Sequence, residues 1–167
     1  MPLYFAYGAN MDVAGMAERC PRSKPLGLAK LMRHRLAIMR EGWLTAARDP
    51  RGRVHGVLWD LALADVSALD RFEELGDGLY TKAAQPVVAA GGPKRALVYF
   101  GANAGPGKSD GAYILSVIAS ARLWKLPDDG LRALEQLARE AGVSMQSVDS
   151  VDAKPKVRPR FATPFDR

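Results

Sequence analysis

Residues that could hold an anion lie near the start of the chain, in the loop Tyr7-Gly8-Ala9-Asn10. A strand is predicted over Leu3–Tyr7, and it should stop here because Gly8 and Asn10 both tolerate tight turns. A helix is predicted to follow over Met11–Glu18, with Asn10 as its N-cap. Outward-pointing backbone N–H groups at such a turn can hold a carboxylate, a phosphate or a developing oxyanion. The same arrangement is also typical of a plain connection between elements.

The second residue that could do chemistry is Glu73, in the helical pattern Leu61–Leu75. At 100° per residue, Glu73 shares a stripe with the apolar residues Ala62, Val66 and Leu69. A carboxylate on a core-facing stripe is costly unless it is paired or hydrogen-bonded. Glu73 is therefore expected either beside a cavity or at a helix end that frays into solvent.

Strand patterns dominate the first half of the chain, and helical patterns dominate its end. The predicted strands alternate polar and apolar residues and are Lys30–Arg40, Trp43–Ala47, Arg53–Asp60, Tyr80–Val88 and Lys94–Gly101. The Asp-Pro and Gly signals predict a turn at Arg48–Gly52, and Gly56 within a strand predicts a bulge or a close backbone approach. Helices are predicted over Gly111–Lys125, capped by Ser109 or Asp110, and over Gly130–Glu140.

Length and composition fit a single-domain protein of a reducing compartment. The chain of 167 residues can bury a full core without cross-links, and it has no signal-peptide pattern. No run approaches the about 18 apolar residues that a membrane helix needs, so no membrane partner is expected. The lone Cys20 excludes an internal disulfide and fits the cytoplasm. His34 and His55 make no metal-ligand spacing with it, so neither a metal nor another cofactor is expected.

The net charge of +6 is unevenly distributed along the chain. Residues 151–167 hold five basic and two acidic side chains, about half of the excess, which predicts a domain over 1–150 and a basic tail. The remaining surplus could attract a small acidic substrate. No platform of alternating basic and aromatic residues is present in the sequence, so a nucleic-acid partner is not expected.

Two short motifs resemble signatures of the gamma-glutamylcyclotransferase-like family. The run Tyr4-Phe5-Ala6-Tyr7-Gly8-Ala9-Asn10-Met11 is similar to an aromatic strand followed by Tyr-Gly-Ser-Asn, with Ala9 in place of Ser. The run Leu69-Asp70-Arg71-Phe72-Glu73, followed by Gly78-Leu79-Tyr80, resembles Leu-Asp-x-x-Glu-Gly and Gly-x-Tyr, with Glu74 in place of Gly. The resemblance covers roughly residues 3–125. It implies an α+β fold, a small mixed β-sheet or barrel with surrounding helices.

The resemblance also implies a reaction, the release of 5-oxoproline from a gamma-glutamyl amide. The substrate's own α-amine attacks its γ-carbonyl, so no enzyme nucleophile is needed. Glu73 is the implied general acid/base, and withdrawal from water raises the pKa of a carboxyl group, which suits both roles. The implied substrate-binding residues are the amides of one loop and three tyrosines: Gly8, Ala9, Asn10, Tyr7, Tyr80 and Tyr113. Each tyrosine is equally typical of core packing.

Two other functions stay open. A non-catalytic module of the same fold could bind a gamma-glutamyl compound or an acidic metabolite, although such a binder gains nothing from a buried carboxylate. Nucleic-acid binding through the basic tail predicts salt-sensitive affinity. Glutathione, a gamma-glutamyl amino acid, a gamma-glutamylamine and an acylated antibiotic precursor would present the same half to these motifs, so the leaving group stays open, as does the oligomeric state.

Overall fold

The computed structural model describes residues 1–147, and the predicted basic tail over 151–167 lies outside the described residues. Its strands are β1 (Leu3–Ala6), β2 (Lys24–Ile38), β3 (Leu44–Asp60), β4 (Tyr80–Ala89) and β5 (Gly92–Gly101). They form a closed barrel in the order β1-β3-β2-β4-β5. Neighbouring strands are antiparallel except β1 and β5, which run parallel. The predicted α+β fold with a small mixed barrel is confirmed.

The described helices pack around the barrel and are α1 (Val13–Arg19), α2 (Val66–Phe72), α3 (Gly111–Leu123) and α4 (Asp128–Glu140). The predicted cap of α3 is confirmed at Asp110, whose Oδ1 accepts a hydrogen bond from Tyr113 N–H. α3 buries Ile114 and Ile118 in the core, whereas α4 buries only a narrow stripe that includes Leu134. Burial of these apolar faces stabilises helices of this length, which are marginal alone in water. No helix within residues 1–147 is long and apolar enough to cross a membrane.

The segment after β1 forms two short elements, so the helix predicted over Met11–Glu18 is confirmed only from Val13 onwards, and its predicted N-cap, Asn10, is wrong. A 3₁₀ turn over Ala9–Met11 comes first, and α1 then begins after Asp12. Asp12 is the N-cap, because its Oδ2 accepts a hydrogen bond from Gly15 N–H at 2.6 Å. Asn10 therefore does not cap the helix; its side chain points inward and is only 2% exposed. Asp and Asn are equally good caps, and the buried partners of Asn10 decide between them.

The predicted turn at Arg48–Gly52 is also wrong, because these residues lie within β3. Arg48 pairs with His34 of β2, and Arg53 pairs with Met32. Residues 49–52 between them have no β2 partner and bulge opposite Arg33. Asp49 Oδ1 accepts a hydrogen bond from Arg51 N–H at 3.1 Å, a bond from the side chain to the backbone two residues on that aspartate favours. Because the strands pair on both sides of residues 49–52, this segment is a bulge within one long hairpin and does not end a strand.

The helix predicted over Leu61–Leu75 is shorter than expected: α2 covers only Val66–Phe72, and Glu73 is the residue directly after it. A 3₁₀ turn over Leu63–Asp65 leads into α2, and another over Leu75–Asp77 follows it. Glu73 terminates α2, and its N–H still donates to Leu69 O at 2.9 Å. The next residue, Glu74, has a left-handed backbone with φ 50°, a conformation that glycine adopts without strain. Glu73 is nevertheless only 5% exposed, so this helix end is buried.

Candidate active site

An open pocket of about 300 Å³, including its mouth, lies between β1, the Ala9–Met11 turn and the end of α2. All seven predicted site residues line it: Tyr7, Gly8, Ala9, Asn10, Glu73, Tyr80 and Tyr113. Four further lining residues were not predicted, namely Tyr4, Phe5, Leu44 and Tyr99. All five tyrosines of the chain therefore face this one pocket. Among its described lining residues, Glu73 is the only charged one.

A chain of hydrogen bonds holds Glu73 at the wall of the pocket. Asn10 Nδ2 donates to Glu73 Oε1 at 2.9 Å and to Tyr4 Oη at 3.1 Å. Arg19 Nε in turn donates to Asn10 Oδ1 at 3.1 Å. The guanidinium of Arg19 lies over the ring of Phe72, 4.0 Å from its centroid. The buried carboxylate thus meets the requirement that buried charges be hydrogen-bonded.

The loop beside Glu73 presents backbone amides. The two hydrogen bonds of the 3₁₀ turn use the N–H groups of Met11 and Asp12, which donate to Gly8 O and Ala9 O. The turn's own bonding therefore leaves out the N–H groups of Gly8, Ala9 and Asn10, as at the start of any helix. These three residues all line the pocket. The arrangement is able to accept a carboxylate or a developing oxyanion beside Glu73.

Two of the predicted tyrosines, Tyr80 and Tyr113, hydrogen-bond to the backbone of β3 at the pocket wall. Tyr80 Oη donates to Leu44 O at 2.6 Å, and Tyr113 Oη accepts from Leu44 N–H at 3.3 Å. Tyr113 Oη also lies 3.5 Å from the position of a Cβ built on Gly8. Tyr80 and Tyr113 therefore have two roles: their hydroxyls hydrogen-bond to the backbone of Leu44, and the same side chains line the pocket.

Tyr7 and Tyr99 form a second hydrogen-bonded set. Tyr7 Oη donates to Tyr99 O, and Tyr99 Oη donates to Asp70 Oδ1, each at 2.5 Å. Asp70 is also paired with Lys82 at 2.8 Å. Burial, with the charge of Glu73 adding to it, raises the pKa of Tyr4 and Tyr7 well above the usual value. Burial and the hydrogen bond to Asp70 raise the pKa of Tyr99. These tyrosines are therefore neutral hydrogen-bonding groups at physiological pH.

A close contact between two strands sets the position of the loop. A Cβ built on Gly56 of β3 would overlap the carbonyl oxygen of Ala6 in β1 and lie 2.9 Å from the ring of Phe5. The predicted close backbone approach at Gly56 is therefore confirmed. Because Ala6 is followed directly by the loop, this contact fixes how deeply the amides of that loop sit in the pocket.

The described residues contain no group of three or more His, Cys, Asp or Glu side chains placed to hold a metal ion. The His34 ring stacks on Phe100, and His55 Nε2 lies 2.9 Å from Asp129 Oδ2. Cys20 is buried. The chemistry that the pocket offers is therefore that of one carboxylate, backbone amides and tyrosine hydroxyls.

Solved structures with the same fold are known, although no curated protein matches the chain. A structure described as gamma-glutamyl cyclotransferase aligns with a TM-score of 0.74 at 22% identity, covering 80% of this chain and 85% of that chain. The uncharacterized protein loc79017 from Homo sapiens aligns with a TM-score of 0.73 at 23% identity, over the same shares of both chains. YkqA from Bacillus subtilis aligns with a TM-score of 0.69 at 23% identity, and the match covers 84% of this chain and 54% of YkqA. At these identities the likeness establishes the fold.

The family model described as "Gamma-glutamyl cyclotransferase, AIG2-like" matches residues 4–125. The matched range contains both sequence motifs, the barrel except Leu3 at the start of β1, and every residue that lines the pocket. It indicates a cyclotransferase-type function in general terms. The chain belongs to the gamma-glutamyl cyclotransferase, AIG2-like family.

Proposed function

We propose that this protein converts a small gamma-glutamyl amide into 5-oxoproline and a free amine, with Glu73 as the general acid/base. The observation that carries the proposal is the buried Glu73 carboxylate, 2.9 Å from Asn10 Nδ2, in a pocket whose described lining has no other charged side chain. A carboxylate kept away from water, beside loop amides that the turn's own hydrogen bonds do not use, suits proton transfer during attack on an amide carbonyl.

The reaction needs one proton acceptor and no enzyme nucleophile. The α-amine nitrogen of the substrate attacks its own γ-carbonyl carbon, forming the ring C–N bond. Glu73 accepts a proton from the attacking nitrogen and delivers one to the leaving nitrogen as the original C–N bond breaks. Folding the substrate so that its amine meets its carbonyl makes the step intramolecular, which can lower the barrier by several kcal/mol.

The loop amides have a defined role in this scheme. The N–H groups of Gly8, Ala9 and Asn10 would hold the carbonyl oxygen as it becomes negative, or the substrate's carboxylate. Because these donors belong to the backbone, a hydroxyl at position 9 is not required, and Ala9 is compatible with the role. The walls of Tyr7, Tyr80 and Tyr113 would exclude water from the folded substrate.

The proposed substrate is a small gamma-glutamyl compound, handled without a cofactor. Loop amides able to accept an anion, together with the chain's net charge of +6, favour a ligand with a negative charge. The lone buried Cys20 supports a cytoplasmic setting.

The test is an assay of 5-oxoproline release by mass spectrometry over a panel of donors that share the gamma-glutamyl half. The panel contains glutathione, several gamma-glutamyl amino acids and several gamma-glutamylamines. Turnover of any donor supports the proposal, and the best donor identifies the leaving group. Absence of turnover across the panel, combined with binding of 5-oxoproline to the folded protein, would favour a non-catalytic binding module instead.

A further inference from the structure

Arg19 lies behind the pocket and reaches it only through Asn10. It is the last residue of α1, its Nε donates to Asn10 Oδ1 at 3.1 Å, and its guanidinium stacks on Phe72. It is absent from the pocket lining. A planar guanidinium can hold both contacts at once, which a lysine ammonium cannot do equally well.

The contact with Arg19 determines which way round the Asn10 amide lies. A guanidinium has donors and no acceptor, so the atom of Asn10 that faces it must be the oxygen. The Nδ2 group is then turned towards Glu73 Oε1 and Tyr4 Oη, and both of its hydrogens are used. A donor aimed at a carboxyl group favours the ionised form, whereas a reversed amide would present an oxygen and favour the protonated form.

We propose that Arg19 is a positioning residue that fixes the orientation of the Asn10 amide and thereby keeps Glu73 ionised until substrate binds. The assignment of Glu73 as a base rests on the proposed function, whereas the orientation of Asn10 does not. Arg19 acts through Asn10 and touches no reacting atom.

The charged and titratable groups around Glu73 include the cation Arg19, which is hydrogen-bonded to Asn10. The titratable and charged groups around it are Tyr4 of β1, Tyr7 in the loop after β1, Arg19 of α1, Tyr80 of β4, Tyr99 of β5 and Tyr113 of α3, and its neighbours along the chain include Asp70 and Glu74. Asp70 is paired with Lys82 of β4. Arg19 is hydrogen-bonded to Asn10 and through it to Glu73.

The first test measures the titration of Glu73 directly, by NMR of protein labelled with ¹³C at the glutamate carboxyl carbons. The signal is assigned with Glu73→Gln, and the titration is compared in the wild type, Arg19→Met and Arg19→Lys. Arg122→Met is the matched control, because Arg122 also lies in the last turn of its helix and pairs with Glu135 at 3.3 Å outside the pocket. We expect Glu73 to titrate at higher pH in Arg19→Met, at an intermediate pH in Arg19→Lys, and as in the wild type in Arg122→Met.

The second test measures the pH profile of kcat/KM for 5-oxoproline release. Loss of a hydrogen bond in a charged network corresponds to about a tenfold fall on the acid side of the profile for Arg19→Met. An unchanged Glu73 titration in Arg19→Met overturns the inference, and so does an equal fall in activity at every pH. If Arg19→Met does not fold, Arg19→Lys decides by the same criteria. If no donor is turned over, the proposed function fails, and the NMR titration still decides the role of Arg19.

Discussion

Asn10 Nδ2 donates a hydrogen bond to Glu73 Oε1 across 2.9 Å, although the two residues are 63 positions apart in the chain. This bond joins the loop after β1 to the end of α2 and therefore joins the two sequence motifs in one pocket. It also explains why Asn10 is buried instead of capping a helix. A buried amide and a buried carboxylate satisfy each other, and neither would be stable there alone.

Replacing the Asn10 amide with a second carboxylate should strongly reduce activity. In Asn10→Asp, two carboxyl groups would lie within hydrogen-bond distance, and repulsion would keep one of them protonated near neutral pH. We expect kcat/KM for 5-oxoproline release to fall about 100-fold or more at pH 7, since a donor to a charged group is also lost. Asn103→Asp is the matched control, because Asn103 Nδ2 also donates to a glutamate, Glu41, at 2.9 Å, but on the exposed surface. Equal losses in both variants would contradict the account.

Gly56 should tolerate no side chain. In Gly56→Ala, the new methyl group would overlap Ala6 O, and β1 would have to move away from β3. We expect the free energy of unfolding to fall by about 1–3 kcal/mol in urea titrations, as in overpacked cores. The matched control is Gly91→Ala, because a Cβ at Gly91 meets nothing within 4 Å. A loss at Gly56 no larger than at Gly91 would show that the two strands do not approach so closely.

Glycine at position 74 should stabilise the fold. Glu74 has φ 50°, and the left-handed conformation costs an L-residue about 1–2 kcal/mol. The extra chain entropy of glycine offsets about 0.5–1 kcal/mol of this gain. Glu74→Gly should therefore raise the free energy of unfolding by about 0.5–1 kcal/mol. The control Glu18→Gly, on the exposed surface of the right-handed helix α1, should instead lower it by about 0.5–1 kcal/mol. Destabilisation by both substitutions would refute the left-handed conformation of Glu74.

The buried tyrosines should limit stability at high pH. The pKa values of Tyr4, Tyr7 and Tyr99 are raised in the folded state, mainly by burial. Their contribution to stability is therefore fully present below the unfolded pKa of about 10 and is lost as the pH rises above it. Absorbance at 295 nm and circular dichroism measured from pH 8 to 12 should show these tyrosines ionising together with unfolding. Ionisation of all five tyrosines near pH 10 in the folded protein would contradict their burial.

The strands of the β4–β5 hairpin and the α3 cap were predictable because each depends on local patterns, whereas the barrel was expected only from the family resemblance. Alternating residues in Tyr80–Val88 and Lys94–Gly101 need only a turn between them, and Asp110 acts on an amide three residues away. Gly56 was predictable as a close approach because glycine inside a strand has few other uses. The site residues chosen by resemblance all line one pocket, and their chemical roles stay predictions.

The errors share one cause, which is competition from contacts distant in sequence. Asn10 has the propensity of an N-cap, but Glu73 and Arg19 take its side chain. Arg48–Gly52 has the composition of a turn, but the β2 pairing on either side keeps it inside β3. Tyr4 and Tyr99 were missed as pocket residues because an aromatic residue in a strand is usually core. The concentration of all five tyrosines at one place becomes visible only when the barrel closes.

The measurement that tests the central claim most directly compares 5-oxoproline release by the wild type, Glu73→Gln and Glu74→Gln on the best donor. The two substitutions make the same chemical change at adjacent positions, but only Glu73 lines the pocket. Loss of a general acid/base lowers the rate about 10²–10⁴-fold, so we expect this loss in folded Glu73→Gln and wild-type activity within about twofold in Glu74→Gln. Full activity of Glu73→Gln would contradict the proposed mechanism.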